Sequence, residues 1–170
     1  MIQKHLAHLT LALLTSWSAN AAVVASFNDP SPSPASPDFI LYTTPTGQQV
    51  LGQWSWNGPV LQPITLNIPI RNKVVTGVFL NMPLLSVGGA GTIDLTDMRG
   101  NVIVHIAFDK GFILAGNTGF GASPATGSHV TISGPGIPTF SNANFAFKFD
   151  RTSRIAANTY GIDASFTCGY

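Results

Sequence analysis

The sequence predicts an antiparallel β-sandwich, and three observations carry that prediction. Short runs rich in Thr, Val, Ile and Phe alternate between apolar and polar residues, the period of a half-buried strand. Seventeen Gly and 12 Pro among 170 residues punctuate those runs every few positions. No segment carries the spacing of an amphipathic helix. Regular short strands separated by turn signals suit an all-β sandwich or barrel.

Residues 1–21 read as an export signal and not as part of the fold. Lys4 precedes an apolar run from Leu9 to Leu14, and a polar stretch ends in Ala19-Asn20-Ala21, with small residues at −3 and −1 of a cut after Ala21. The run is far short of the ~20 residues that span a bilayer as a helix. The remaining chain suffices for one domain with a real core. Without Lys4, seven Lys and Arg balance seven acidic residues, all of them Asp. Such a balance steers the protein toward neither nucleic acid nor anionic membranes. Only 9% of residues are charged while 45% are apolar, which points to surfaces covered by partners.

After the cut, Val23, Ala25 and Phe27 form a short apolar piece that Pro30, Pro32, Pro34 and Pro37 bring to an end. Residues 22–37 therefore read as an N-terminal, proline-rich arm, with 38–170 as a single domain. In "QWSWNG", Trp54 and Trp56 share one face of an extended chain. A three-residue Asn57-Gly58-Pro59 loop sets Trp56 opposite Val60, Gly52 opposite Ile64 and Val50 opposite Leu66. That register turns the tryptophans toward an apolar series, hence toward the core. The alternative is an exposed ring platform for a sugar, to which Tyr42 and the Phe120 loop could belong.

In "TIDLTDMRGNVIVHIAF" a turn at Arg99-Gly100 pairs Leu95 with Val104 and Ile93 with Ile106. It also brings Asp94 beside His105 and Thr96 beside Ile103. Asp109-Lys110-Gly111 then reads as a three-residue hairpin loop that places Phe112 opposite Phe108. Gly116 to Gly127 has no periodicity and reads as a mobile loop. Strands resume at His129 to Ser133. In "NFAFKFD", Phe145, Phe147 and Phe149 alternate with Ala146 and Lys148. In the last strand Tyr160, Ile162, Ala164, Phe166, Cys168 and Tyr170 share one face. Cys168, the only cysteine, reads by that alternation as a buried small hydrophobe, with an intermolecular thiol as the alternative.

Catalytic signatures are absent: no nucleophile elbow, P-loop, HExxH or paired-cysteine motif occurs. Asp94 and His105 read as a cross-strand polar pair without a third catalytic member. Asp94, Asp97 and Asn101 lack the ligand spacing of a calcium loop and read as a solvated turn. His129 and Lys148 read as surface residues. The expectation is a protein that is not an enzyme, with no metal and no cofactor. The last strand also reads as an edge, with backbone groups open to strand addition.

On these residues the chain resembles the chaperone–usher fimbrial subunits, in particular the Fae-type adhesive fimbriae. The likeness rests on the signal peptide, on Ser26-Phe27-Asn28, on "QWSWNG", on "MPLLSVG" (Met82 to Gly88), on "IDLTDMRG" (Ile93 to Gly100) and on the alternating aromatic C-terminus. The resemblance implies an immunoglobulin-like sandwich lacking its last strand. A periplasmic chaperone supplies that strand before an outer-membrane usher exchanges it for the arm of a neighbouring subunit. It implies export through the periplasm to a fimbrium at the cell surface, and a host glycan as a further partner. The chaperone-binding edge would be the last strand, Tyr160 to Tyr170. Because the prolines cut the arm short, it would donate poorly, which places the chain as a minor subunit at or near a fibre tip. Two other functions fit the alternation: a secreted carbohydrate-binding sandwich, or a small outer-membrane barrel, whose uninterrupted strands Pro63, Pro69, Pro83, Pro135 and Pro138 oppose.

Overall fold

The computed structural model describes residues 22–28, 37–53 and 63–170. The export signal, Pro30 to Pro34 and the Trp54–Trp56 motif lie outside them. Fourteen strands make up the described fold: β1 (Val23–Phe27), β2 (Phe39–Thr43), β3 (Gln49–Gln53), β4 (Ile64–Ile68), β5 (Lys73–Asn81), β6 (Leu85–Ser86) and β7 (Gly91–Thr96), followed by β8 (Val102–Phe108), β9 (Phe112–Ile113), β10 (Gly119–Ala122), β11 (Val130–Gly134), β12 (Ile137–Ser141), β13 (Asn144–Ala156) and β14 (Thr159–Gly169). Every pairing between them is antiparallel. Among the described residues there is no α-helix, only three single 3₁₀ turns.

The strands form two layers that do not close into a barrel. One layer runs β4-β1-β14-β13-β10-β9, and β2, β3 and β6 extend it from the far half of β14; the other runs β12-β11-β8-β7-β5. β5 belongs to both. Its first part pairs with β4 (Ile68 opposite Lys73, Leu66 opposite Val75), and its last part with β7 (Leu80 opposite Leu95). Between them the register slips at Gly77, whose φ of +70° suits glycine, and such a bulge turns a strand from one sheet into the next.

The core lies between the layers. Phe108 of β8 meets Phe145 of β13 with ring centroids 4.9 Å apart, and Phe120, Phe147, Phe166, Leu95, Ile106 and Ile132 are fully buried around them. These residues come from the inward positions of alternating strands, which is why the pattern in the sequence leads to this fold.

Several registers agree with the sequence reading. Ile93 faces Ile106, Asp94 faces His105 and Leu95 faces Val104; past a bulge, Thr96 faces Val102 and not Ile103. Other registers differ. Phe112 does not pair with Phe108: β8 is flanked by β7 and β11, with Val130 opposite Phe108 and Ile132 opposite Ile106. The reason lies in Asp109, whose carboxylate accepts from the Ser128 hydroxyl and the His129 N–H, both at 2.8 Å, tying the end of β8 to the start of β11. Gly111 is not there for a left-handed turn. A Cβ on it would run into the Phe120 ring.

The proposed tryptophan hairpin register is also not formed. Gly52 pairs with Ile40, Val50 with Tyr42 and Ser86, Ile64 with Val78 and Leu66 with Val75, so β3 and β4 are not neighbours. The segment read as a mobile loop contains β10, all of it buried. Its Gly119 and Gly121 lie so close to the β13 backbone that a Cβ on either would strike a carbonyl oxygen of Phe147 or Phe145. Glycine there permits close approach and hides the strand's signature.

Candidate functional site

The last strand is central, which corrects its reading as an open edge. Along one side β14 pairs with β13 over its whole length. Along the other, Thr159 to Ile162 pair with β2, and Phe166 to Gly169 pair with β1. Tyr160 and Ile162 are thus held by a strand of the domain itself, and the Phe166–Gly169 portion is covered by the N-terminal arm. The arm fills the place at which the edge was expected.

β1 sits between β14 and β4, with Phe27 opposite Phe166, Ala25 opposite Cys168, and Ser26 opposite Asn67. Reciprocal backbone hydrogen bonds between Ala22 and Tyr170, at 2.9 and 3.2 Å, continue the ladder. Phe27 stacks on Phe166 with centroids 5.1 Å apart, and Phe166 in turn meets Phe147 at 5.0 Å. The apolar arm residues singled out in the sequence, Val23, Ala25 and Phe27, do not share one environment. Ala25 and Phe27 are buried, but a register shift between Val23 and Ala25 turns Val24 inward and leaves Val23 36% exposed. Tyr170 also leaves the core series: half exposed, it stacks on Phe140 of β12, joining the two layers at one end of the sandwich.

Cys168 is buried, with Ala25 of β1 and Phe145 of β13 as its neighbours across the sheet, and is a free thiol. Burial pushes its pKa from 9.0 up to about 12, and a backbone hydrogen bond with Ala25 lowers it by less. An unfolded thiol ionises above pH 9.0 while the folded one stays protonated to about 12, so stability should fall across that interval. The expected slope is about 1.4 kcal/mol per pH unit. Urea midpoints measured at mildly and strongly alkaline pH should therefore diverge for the wild type and converge for Cys168→Ala. At neutral pH, iodoacetamide should label Cys168 only after denaturation. Labelling at the rate of a free thiol would show that β1 does not cover it.

A second feature lies where β2, β3, β13 and β14 meet the Ala115–Asn117 turn: an open cavity of about 280 Å³. Buried Leu41 and Ile162 form its floor, with Phe149 and Tyr160 as its aromatic lining. Three amides, Gln49, Asn117 and Asn158, and the hydroxyls of Thr43 and Thr152 complete it. Of these residues only Tyr160 and Ile162 belong to the site predicted from the sequence. The rest do not show in the sequence because four separate strands and two turns bring them together. The platform candidates fare differently: Phe120 is fully buried in the core, and Tyr42 lies on β2 opposite Thr159 and Val50.

The polar pairs look structural. His105 Nδ1 lies 2.6 Å from Asp94 Oδ1 across β7 and β8. Asp97 accepts from the N–H groups of Arg99 and Asn101 and from the Asn101 amide, and these bonds hold its carboxyl below the usual range. His129 and Lys148 are exposed, and Lys148 lies 3.4 Å from Asp150. No group of three metal-ligating side chains occurs among the described residues. No helix among them is long and apolar enough to cross a membrane. Fold and seam together define an all-β, antiparallel, sandwich-like protein whose N-terminal strand completes the sheet beside its last strand. Compared with protein-family models, curated proteins and solved structures, the chain matches none.

Proposed function

We propose that the chain is a minor structural subunit of an adhesive fimbria, placed at or near the tip and assembled by donor-strand complementation. One observation carries the reading. A five-residue strand from the N-terminal arm, joined to the domain by a proline-rich stretch, lies antiparallel in the sheet beside β14 and covers Phe166 and Cys168. A short strand that reaches the sheet through a proline-rich tether is suited to exchange for another strand that fills the same place. Its place can be taken by the strand of a periplasmic chaperone or by the arm of a neighbouring subunit. Tyr160 and Ile162, engaged by β2, stay outside the exchange, which is confined to Phe166, Cys168 and the chain beyond them. The shortness of β1 favours a receiver over a donor, hence the tip.

Co-expression of the exported chain with a Fae-type periplasmic chaperone tests this. The expected result is a one-to-one complex in which the arm becomes sensitive to limited proteolysis and the Cys168 region stays protected. A chain that elutes alone, its arm protected whether or not the chaperone is present, would overturn the reading.

A further inference from the structure

We infer that the cavity at the outer ends of β2, β3, β13 and β14 is a binding site for a neutral saccharide unit. β1 contributes nothing to it, so the inference does not depend on strand exchange.

The chemistry of the lining selects the ligand. Among the described residues that line it there is no Asp, Glu, Lys, Arg or His, so within that lining neither an anion nor a cation finds a partner. An apolar ligand fits poorly, since it would strip water from three amides and two hydroxyls and return no hydrogen bond. The Gln49, Asn117 and Asn158 amides each offer both a donor and an acceptor, which is what a ligand dense in hydroxyl groups requires. Among the described residues these amides make no side-chain hydrogen bonds of their own. Tyr160, 37% exposed on a strand, supplies a ring on which the C–H face of a sugar can stack.

The backbone holds the two asparagines in place. Each has a φ of +56°, a conformation that asparagine tolerates better than most residues. The N–H of Asn117 donates to Leu114 O at 3.0 Å, and Asn158 O accepts from the Thr43 N–H at 2.9 Å. Both amides are thus carried on closed turns at the cavity's rim, which limits the order lost when a ligand binds.

The test titrates the full exported chain, labelled with ¹⁵N, with the methyl glycosides of glucose, galactose and mannose and with lactose. Sodium N-acetylneuraminate and butanol serve as anionic and apolar counter-probes. The expected result is that at least one neutral sugar shifts amide signals of Thr43, Gln49, Asn117, Thr152, Asn158 and Tyr160 while the counter-probes do not. Asn117→Gly and Asn158→Gly keep the backbone conformation and remove one amide each, so each should weaken binding about tenfold. Thr152→Val, at an exposed strand position, gives an independent reading should a glycine variant lose its dispersed spectrum. Absence of shifts, shifts located at Trp54 and Trp56, stronger binding of either counter-probe, or affinities unchanged in the folded variants would each overturn the assignment.

Discussion

Deleting residues 22–28 should leave a chain that cannot hold its fold, and returning them at the other end of the chain should restore it. The deletion removes Val24, Ala25 and Phe27 from the core, uncovers Phe166 and Cys168, and leaves the backbone of β14 from Phe166 to Gly169 unpaired on one side. Full burial of a large apolar side chain stabilises by roughly 1.5–3 kcal/mol. Losing Phe27 and Val24, together with the cover over Phe166, then approaches the whole stability of a small domain, about 5–15 kcal/mol. The truncated chain should aggregate or be degraded.

The rescue follows from geometry. β1 runs antiparallel to β14, and Ala22 is hydrogen-bonded to Tyr170, so the start of the arm lies beside Tyr170. Residues 22–28 appended after Tyr170 through a two-residue Asn-Gly turn would re-enter the sheet as a hairpin in the native direction. Soluble yield and urea unfolding of the three chains decide the matter. A truncated chain as stable as the parent would mean that β1 contributes nothing to the core. A rearranged chain that stays unfolded would mean that the seam needs the original connection.

How much of this was legible in the sequence depended on who a strand's neighbours are. β7 and β8 are consecutive and joined by a tight turn, so one register follows from hydrophobic pairing alone, and it holds at Ile93, Asp94 and Leu95. β13 and β14 are likewise adjacent, and their alternation correctly puts Phe145, Phe147, Phe166 and Cys168 inside. Reading failed where the partner is distant. Residues 112 and 113 follow β8 at once, yet a carboxylate on Asp109 binds the chain near Ser128 and gives that side of β8 to β11. β10 is hidden for another reason: its glycines carry the sign of a loop, yet they mark a strand pressed against its neighbour's backbone. The edge assignment failed because alternation tells which face of a strand is buried but says nothing of what lies beside it. The cavity was illegible for the same reason, since none of its rim amides belongs to a periodic pattern.

Phe147, Phe149 and Lys148 should give three sharply different responses to alanine, although they are neighbours on one strand. Phe147 is fully buried and meets Phe39 at 5.2 Å, Phe166 at 5.0 Å and Phe145 at 6.3 Å, so it joins β2, β13 and β14 in one aromatic cluster. Rings from three strands cannot all close on the space it would leave, and Phe147→Ala should cost about 3–5 kcal/mol. Phe149 points the same way but lies further out, half-buried at the cavity's wall, and its loss should cost about 1–2 kcal/mol. Lys148 points outward with its ammonium 3.4 Å from Asp150, and an exposed pair of this kind contributes so little that Lys148→Ala should stay within about 0.5 kcal/mol of the parent. Chemical denaturation at neutral pH measures all three. A cost at Phe149 equal to that at Phe147 would mean that the outer end of β13 is covered as deeply as its centre, and the cavity beside it would then not be open to a ligand.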